Sequence, residues 1–262
     1  MRQHPVLALN RQAYTMSFTS PRLRSAACLF ALLGCLNSAH AALTLSNSRI
    51  IHESDKNSSS VTVGNPSTKT YAAQAWVNTE TDDTTTAVPL IASPALFRIQ
   101  PGDEQSVQIN RLPNDLPQDR ESLFFFNLQE IPQAEANERN TLNIALRTRI
   151  KLFYRPSQLK GNPQTHLKDL KWSVQRLEGQ LRLVVDNPSP FHFTFGMLEV
   201  KGKGKGKTEP LKGREMVAPF GRQTYTLAST TESDDLSLTL NAYNDYGGIT
   251  PAITVPLPVA VQ

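Results

Sequence analysis

Apolar residues in this chain fall in short runs, rich in β-branched and aromatic side chains, with Pro, Gly, Asn or Asp at their ends. That texture predicts strands. In the first half the runs are Val61-Thr62-Val63, Ala72 to Val77, Val107-Gln108-Ile109 and Phe124 to Ile131. In the second they are Trp172-Ser173-Val174, Leu181 to Val185, Phe191 to Val200, Tyr225-Thr226-Leu227, Leu236 to Ala242 and Ile249 to Val255. No long stretch carries a helical period. Many short strands at close spacing predict β-sandwiches, and 262 residues allow two.

A weak internal repeat supports that count. Val63-Gly64-Asn65-Pro66-Ser67 leads into Tyr71-Ala72-Ala73-Gln74-Ala75-Trp76, and Val185-Asp186-Asn187-Pro188-Ser189 leads into Phe191-His192-Phe193-Thr194-Phe195. Asn-Pro at one turn has a local explanation; two copies in matching contexts point to a duplicated unit. Between the halves, Arg155 to Pro163 is polar and holds two prolines, a linker short enough to act as a fixed elbow.

The chain begins with four arginines and no acid, then an apolar run from Ala26 to Leu36, then Ser38-Ala39-His40-Ala41. That order reads as a secretory leader over 1–41, beginning at Met1 or Met16 and cut after Ala41. The run is too short to span a bilayer, so no membrane anchor is expected. Leu32-Leu33-Gly34-Cys35 resembles a lipoprotein site, but Leu33 is bulkier than that site favours. Both cysteines, Cys28 and Cys35, lie in the leader, so the remaining 221 residues have no thiol chemistry. Four of the 27 basic residues leave with it, and 23 remain against 23 acidic ones. A neutral chain gives no general argument for nucleic-acid binding.

The most informative segment is Leu142 to Tyr154. Its even positions read Leu142, Ile144, Leu146, Thr148, Ile150, Leu152, Tyr154, and its odd ones are mostly polar or basic. Such a strand would run roughly 40 Å at about 3.3 Å per residue, about twice the usual length. One reading is a half-buried strand with its basic residues in solvent. The other is a strand that outruns its own sheet and offers Leu142, Ile144 and Leu146 to a partner, although exposed apolar edges are normally avoided.

Leu116 to Pro132, which contains Glu121-Ser122-Leu123-Phe124-Phe125-Phe126-Asn127-Leu128, resembles the defining motif of the periplasmic pilus-assembly chaperones. Ile144 to Pro156 is similar to that family's long strand, and Asn244-Asp245-Tyr246-Gly247-Gly248 to its second-domain motif. The resemblance implies an all-β fold of two immunoglobulin-like β-sandwich domains, 42–157 and 158–262, joined at an angle by a short linker. It implies a non-enzymatic periplasmic chaperone that binds pilin subunits by donor-strand complementation and delivers them to an outer-membrane usher. By motif position, Arg49 and Lys151 would anchor the subunit's C-terminal carboxylate. Leu142, Ile144 and Leu146 would enter its groove, and Glu121, Arg155 and Asp245 would form an interdomain ion network. The short segment Gln133 to Thr141 is closer to the subclass serving rod-like pili. Gln108 stands where the family carries a basic residue. The unloaded edge also invites self-association.

Enzymatic readings find little support. The three histidines after the leader, His52, His166 and His192, are widely spaced without a metal-ligand pattern. Gly206-Lys207-Thr208 ends like a phosphate loop, yet Lys201 occupies the position of its first Gly. No cofactor or metal is expected. Two other classes remain: an adhesive immunoglobulin-like protein, which would lack the Arg49–Lys151 pair, and a carbohydrate-active sandwich, for which Asp82-Asp83 in a polar turn is a poor carboxylate pair.

Overall fold

A computed structural model describes residues 43–83, 85–131, 145–202, 209–211, 215–227 and 235–260. The leader and its cleavage site, Leu142, Ile144 and most of the Lys201–Lys207 loop lie outside the described residues.

In the first half the described strands are β1 (Thr44–Leu45), β2 (Arg49–Glu53), β3 (Ser58–Gly64), β4 (Tyr71–Asn78), β5 (Leu90–Ser93), β6 (Leu96–Ile99), β7 (Glu104–Arg111), β8 (Ser122–Ile131) and β9 (Arg147–Arg155). They form two sheets, ordered β1-β3-β7-β5 and β2-β9-β8-β4-β6. Alternation decides what lies between them. Val61, Val63, Val107 and Ile109 from one sheet meet Ala73, Ala75, Phe126, Leu128, Leu152 and Tyr154 from the other in one buried core. The chain enters by changing sheets: β1 pairs with β3, and after Ser46-Asn47-Ser48, β2 runs parallel to β9 in the opposite sheet.

A single helical turn, α1 (Pro163–His166), opens the second half. Asn162 caps it by accepting from the Thr165 amide, and Pro163 occupies the first turn, where a missing N–H is harmless. Then follow β10 (Lys171–Leu177), β11 (Gln180–Asp186), β12 (Phe195–Gly202), β13 (Glu209–Pro210), β14 (Arg222–Thr226), β15 (Leu236–Ala242), β16 (Ile253–Leu257) and β17 (Val259–Ala260). Their sheets, β14-β11-β10-β17 and β13-β12-β15-β16, close on a second core containing Trp172, Leu183, Phe193, Phe195, Leu238 and Leu240. The long run expected from Phe191 divides here. Phe191 and Phe193 are buried before β12 begins, and the Phe193 main chain bridges only to Val217.

The repeated Asn-Pro-Ser turn has the same internal bonding in both halves. Asn65 Nδ2 donates to the Lys69 and Ile99 carbonyls, and its Oδ1 accepts from the Ser67 amide and hydroxyl. Asn187 Nδ2 donates to the Phe191 and Ala218 carbonyls, and its Oδ1 accepts from the Ser189 amide and hydroxyl. Both Asn side chains are buried, and each meets its hydrogen-bonding demand within its own sandwich.

Candidate functional site

The site lies where β9 runs past the second sandwich. On the face of the β2-β9-β8-β4-β6 sheet turned away from its core, Arg49 and Lys151 are direct partners in the parallel β2–β9 pair. Lys151 Nζ donates to Thr194 Oγ1 at 2.8 Å, and the Arg49 guanidinium lies 5.3 Å from the centre of the Tyr243 ring. Thr194 and Tyr243 belong to the second half, so both cations stand in the seam between sandwiches.

Two like charges side by side in a partly buried seam are costly unless something neutralises them. Among the described residues neither forms an ion pair, and Arg49 Nε is buried without a hydrogen-bond partner. Burial, then the charge of Arg49, pushes the Lys151 amine down to about 8, with Glu80 offsetting a little. Burial also lowers Arg49, against opposing contributions from Asp245, Tyr243 and Glu121. Two cations side by side can accept an anion with more than one acceptor oxygen, such as a carboxylate.

A few residues on, Arg155 closes β9 and bridges the halves. Its Nε donates to Glu121 Oε1 at 2.8 Å, while Nη1 and Nη2 reach Asp245 Oδ2 and Oδ1 at 2.7 and 2.8 Å. Burial would lower the guanidinium, but Asp245 and Glu121 together raise it. Glu121, 3% exposed, also accepts from the His192 amide at 2.8 Å and contacts His192 Nδ1 at 3.1 Å. Asp245 is presented by a tight turn in which Asn244 Oδ1 accepts from the Tyr246 and Gly248 amides. Gly247 there has left-handed geometry, at φ +81, and a Cβ on it would collide with Ser48 Oγ in the first sandwich.

The third component is an edge. β9 pairs with β8 from Arg147 to Tyr154, but with β2 only from Lys151 to Arg155. From Arg147 to Ile150 its second side therefore has no strand beside it among the described residues. Leu146, just before β9, is 48% exposed, although its carbonyl still accepts from the Glu130 amide. A strand filling this gap would continue the line of β2. Running parallel to β9, it would bring its C-terminal carboxylate to Arg49 and Lys151; running antiparallel, it would bring an ammonium group to two cations. Charge therefore selects the parallel direction.

The odd positions of β9 do more than the sequence suggests. Phe153 is buried, its ring 5.4 Å from that of His192. Arg147 and Arg149 lie over Trp76 and Phe125 instead of extending into solvent. The histidines are apart, in the first core, on α1 and in the seam, and among the described residues no three His, Cys, Asp or Glu side chains gather as metal ligands.

Residues 42–160 match the family described as "Pili and flagellar-assembly chaperone, PapD N-terminal domain", and residues 165–254 match "Pili assembly chaperone PapD, C-terminal domain". The chain is 32% identical to the probable fimbrial chaperone YadV of Escherichia coli K12 over 240 residues, 88% of this chain and 96% of that protein. The crystal structure of YadV matches with a TM-score of 0.71 at 31% identity, covering 83% of this chain and all of the other. Chaperone protein PapD of Escherichia coli is 34% identical over 216 residues, 81% of this chain and 86% of that protein. A chain from the solved complex of the Salmonella enterica SafA pilin with the SafB chaperone matches with a TM-score of 0.69 at 26% identity, covering 84% and 98%.

Proposed function

Since this chain belongs to the pilus-assembly chaperone family, we propose that it captures a pilin subunit by lending it the free edge of β9. The fold is two immunoglobulin-like sandwiches, the location is the periplasm, and the activity is not enzymatic. The subunit's last strand lies parallel to β9, and its C-terminal carboxylate rests on Arg49 and Lys151. Leu142, Ile144 and Leu146 enter the subunit's groove, with main-chain bonds giving affinity and alternate side chains fixing register. A subunit held this way cannot pair prematurely with another, and it is passed to the outer-membrane usher without nucleotide. Glu121, Arg155 and Asp245 hold the two sandwiches in the relation that leaves the seam open to the carboxylate. The solved SafA–SafB pair is a precedent for a chaperone of this kind carrying a pilin.

The observation that carries this reading is the placement of two cations, without an ion pair among the described residues, at the closed end of an open strand edge. Purification of the protein from the periplasm should recover a pilin subunit with it. Arg49→Ala and Lys151→Ala should each remain folded and lose that subunit, since a charged hydrogen bond contributes about 1.5–3 kcal/mol. Normal subunit recovery with both variants would rule the anchor out. The same open edge admits a second copy of the chain, so the unloaded protein should self-associate and a subunit should dissociate it.

A further inference from the structure

The free end of β9 is held by a closed ring of side chains drawn from three strands and one loop. Arg147 Nη1 donates to Asp82 Oδ2 at 3.0 Å, and Nη2 to Asp82 Oδ1. Arg147 Nε and Nη2 donate to Asn127 Oδ1 of β8 at 3.1 and 2.6 Å. Asn127 Nδ2 donates to Asn78 Oδ1 of β4 at 2.9 Å, and Asn78 Nδ2 returns to Asp82 Oδ1 at 2.6 Å. Asn127 and Asn78 are buried, at 0% and 3% exposure, so the ring satisfies polar groups that have no access to water.

The loop that supplies Asp82 is itself fastened. Asp83 accepts from the hydroxyls of Thr79, Thr81 and Thr86 and from the amides of Thr85 and Thr86. Asp82 sits in the left-handed region at φ +62, a conformation uncommon outside Gly and tolerated best by Asn and Asp. Beside the ring, Arg149 donates to the Thr79 and Glu80 carbonyls and lies 3.8 Å over Phe125, while Arg147 lies 4.9 Å over Trp76. Both arginines are thus used to bind the loop to the root of the lent strand.

We propose that this ring keeps the free end of β9 extended before a subunit arrives, with Asp82 as its positioning residue. The inference rests on the strand-lending reading above. A strand paired on one side only frays at its end. If only a fraction of molecules present it extended, the apparent affinity falls by that fraction. Asp82 and Arg147 are 65 residues apart in sequence, so the ring ties the free end of β9 to a distant loop.

Amide hydrogen exchange of the unloaded wild type, Asp82→Ala and Asp82→Asn tests it, together with capture of the pilin subunit that copurifies with the wild-type chain. Asp82→Ala should speed exchange at least tenfold at those amides of residues 145–149 that bond to β8 and leave β3 and β7 unchanged, with only a small drop in melting temperature from the Asn78 amide that loses its acceptor. It should weaken subunit capture by about tenfold, with Asp82→Asn in between because it retains part of the hydrogen bonding. Unchanged exchange at 145–149, or wild-type capture, would overturn the proposal. So would uniform acceleration with a much lower melting temperature, which would make Asp82 a general stability residue. A wild-type chain that holds no subunit would sink strand lending itself, a result separate from any exchange difference among the unloaded proteins.

Discussion

Lys151 is a side chain that costs the folded protein stability in the place proposed for binding. In the unloaded protein its amine is lowered to about 8 from the ordinary 10.5, chiefly by burial. Between those two values the unfolded chain holds a proton that the folded chain has lost, so stability rises as pH climbs through that window. Below about 8 both states are charged, and the full penalty of burying the ammonium remains. Lys151→Met should therefore raise the melting temperature at pH 7 by about 2–4 °C. That is the shift from roughly 1 kcal/mol in a chain of this size, a figure already discounted for the side chain's partial exposure. The gain should shrink above pH 10, where the wild-type amine is neutral, while subunit binding is lost throughout. Calorimetric scans at the two pH values decide it. An unchanged or lower melting temperature at pH 7 would mean that the ammonium is already compensated. Motif position singled Lys151 out but could not show that its amine is lowered, because that depends on burial in the seam and then on Arg49 lying directly opposite across the β2–β9 pair.

Along β9 one strand serves two ends, and one substitution type should give opposite results at each. Leu146 is 48% exposed, whereas Leu152 is 0% exposed in the first core. Leu146→Glu should leave chemical denaturation within about 0.5 kcal/mol of wild type and abolish subunit capture by placing a carboxylate in an apolar groove. Leu152→Glu should unfold the first sandwich. If Leu146→Glu also unfolds it, the exposed end belongs to the protein's own core and strand lending fails. Short β-branched and aromatic runs made β3, β4, β7 and β8 legible, and alternation made β9 legible, although the strand read as Leu142 to Tyr154 begins at Arg147 among the described residues. What alternation could not supply is where β2 begins, and that boundary alone decides which part of β9 is left open. Four short strands, β1, β2, β5 and β6, carry too few residues for a period to show. Asn162-Pro163 read as linker, although Asn followed by Pro is also the start signal of a helical turn, and α1 uses it that way. Asp82 read as one of two acids in a polar turn, since nothing local announces a partner on β9.

The two sandwiches meet through buried charge at Glu121, Arg155 and Asp245. Glu121→Ala removes acceptors from Arg155 and from the His192 amide at once. Arg155 keeps Asp245, so the loss is smaller than the about 3–5 kcal/mol of a buried ion left wholly unpaired, but the melting temperature should still fall and small-angle scattering should report a wider spread of domain arrangements. Wild-type values for both would show that the Glu121 contacts do not hold the sandwiches together. Gly247→Ala should act on the same contact from the opposite side. Its Cβ would collide with Ser48, and its left-handed backbone would add about 1–3 kcal/mol of strain. The expected scattering change should be only partly relieved by Ser48→Ala, which removes the collision but not the strain. The duplicated architecture was visible in the sequence because the Asn-Pro-Ser turn is local, with its bonding carried mainly by neighbours a few residues away. The seam was visible only through motif resemblance, because its contacts join residues as far apart as Arg155 and Asp245. The lowered amine in that seam has a thermal consequence for the proposed loading. A carboxylate settling on Lys151 should restore the proton that part of the empty molecules lack near pH 8, so capture should draw protons from the solvent. The heat of capture measured in Tris should then differ from that in phosphate in proportion to the difference in the buffers' ionisation enthalpies, and an alkaline medium should loosen the chaperone's hold.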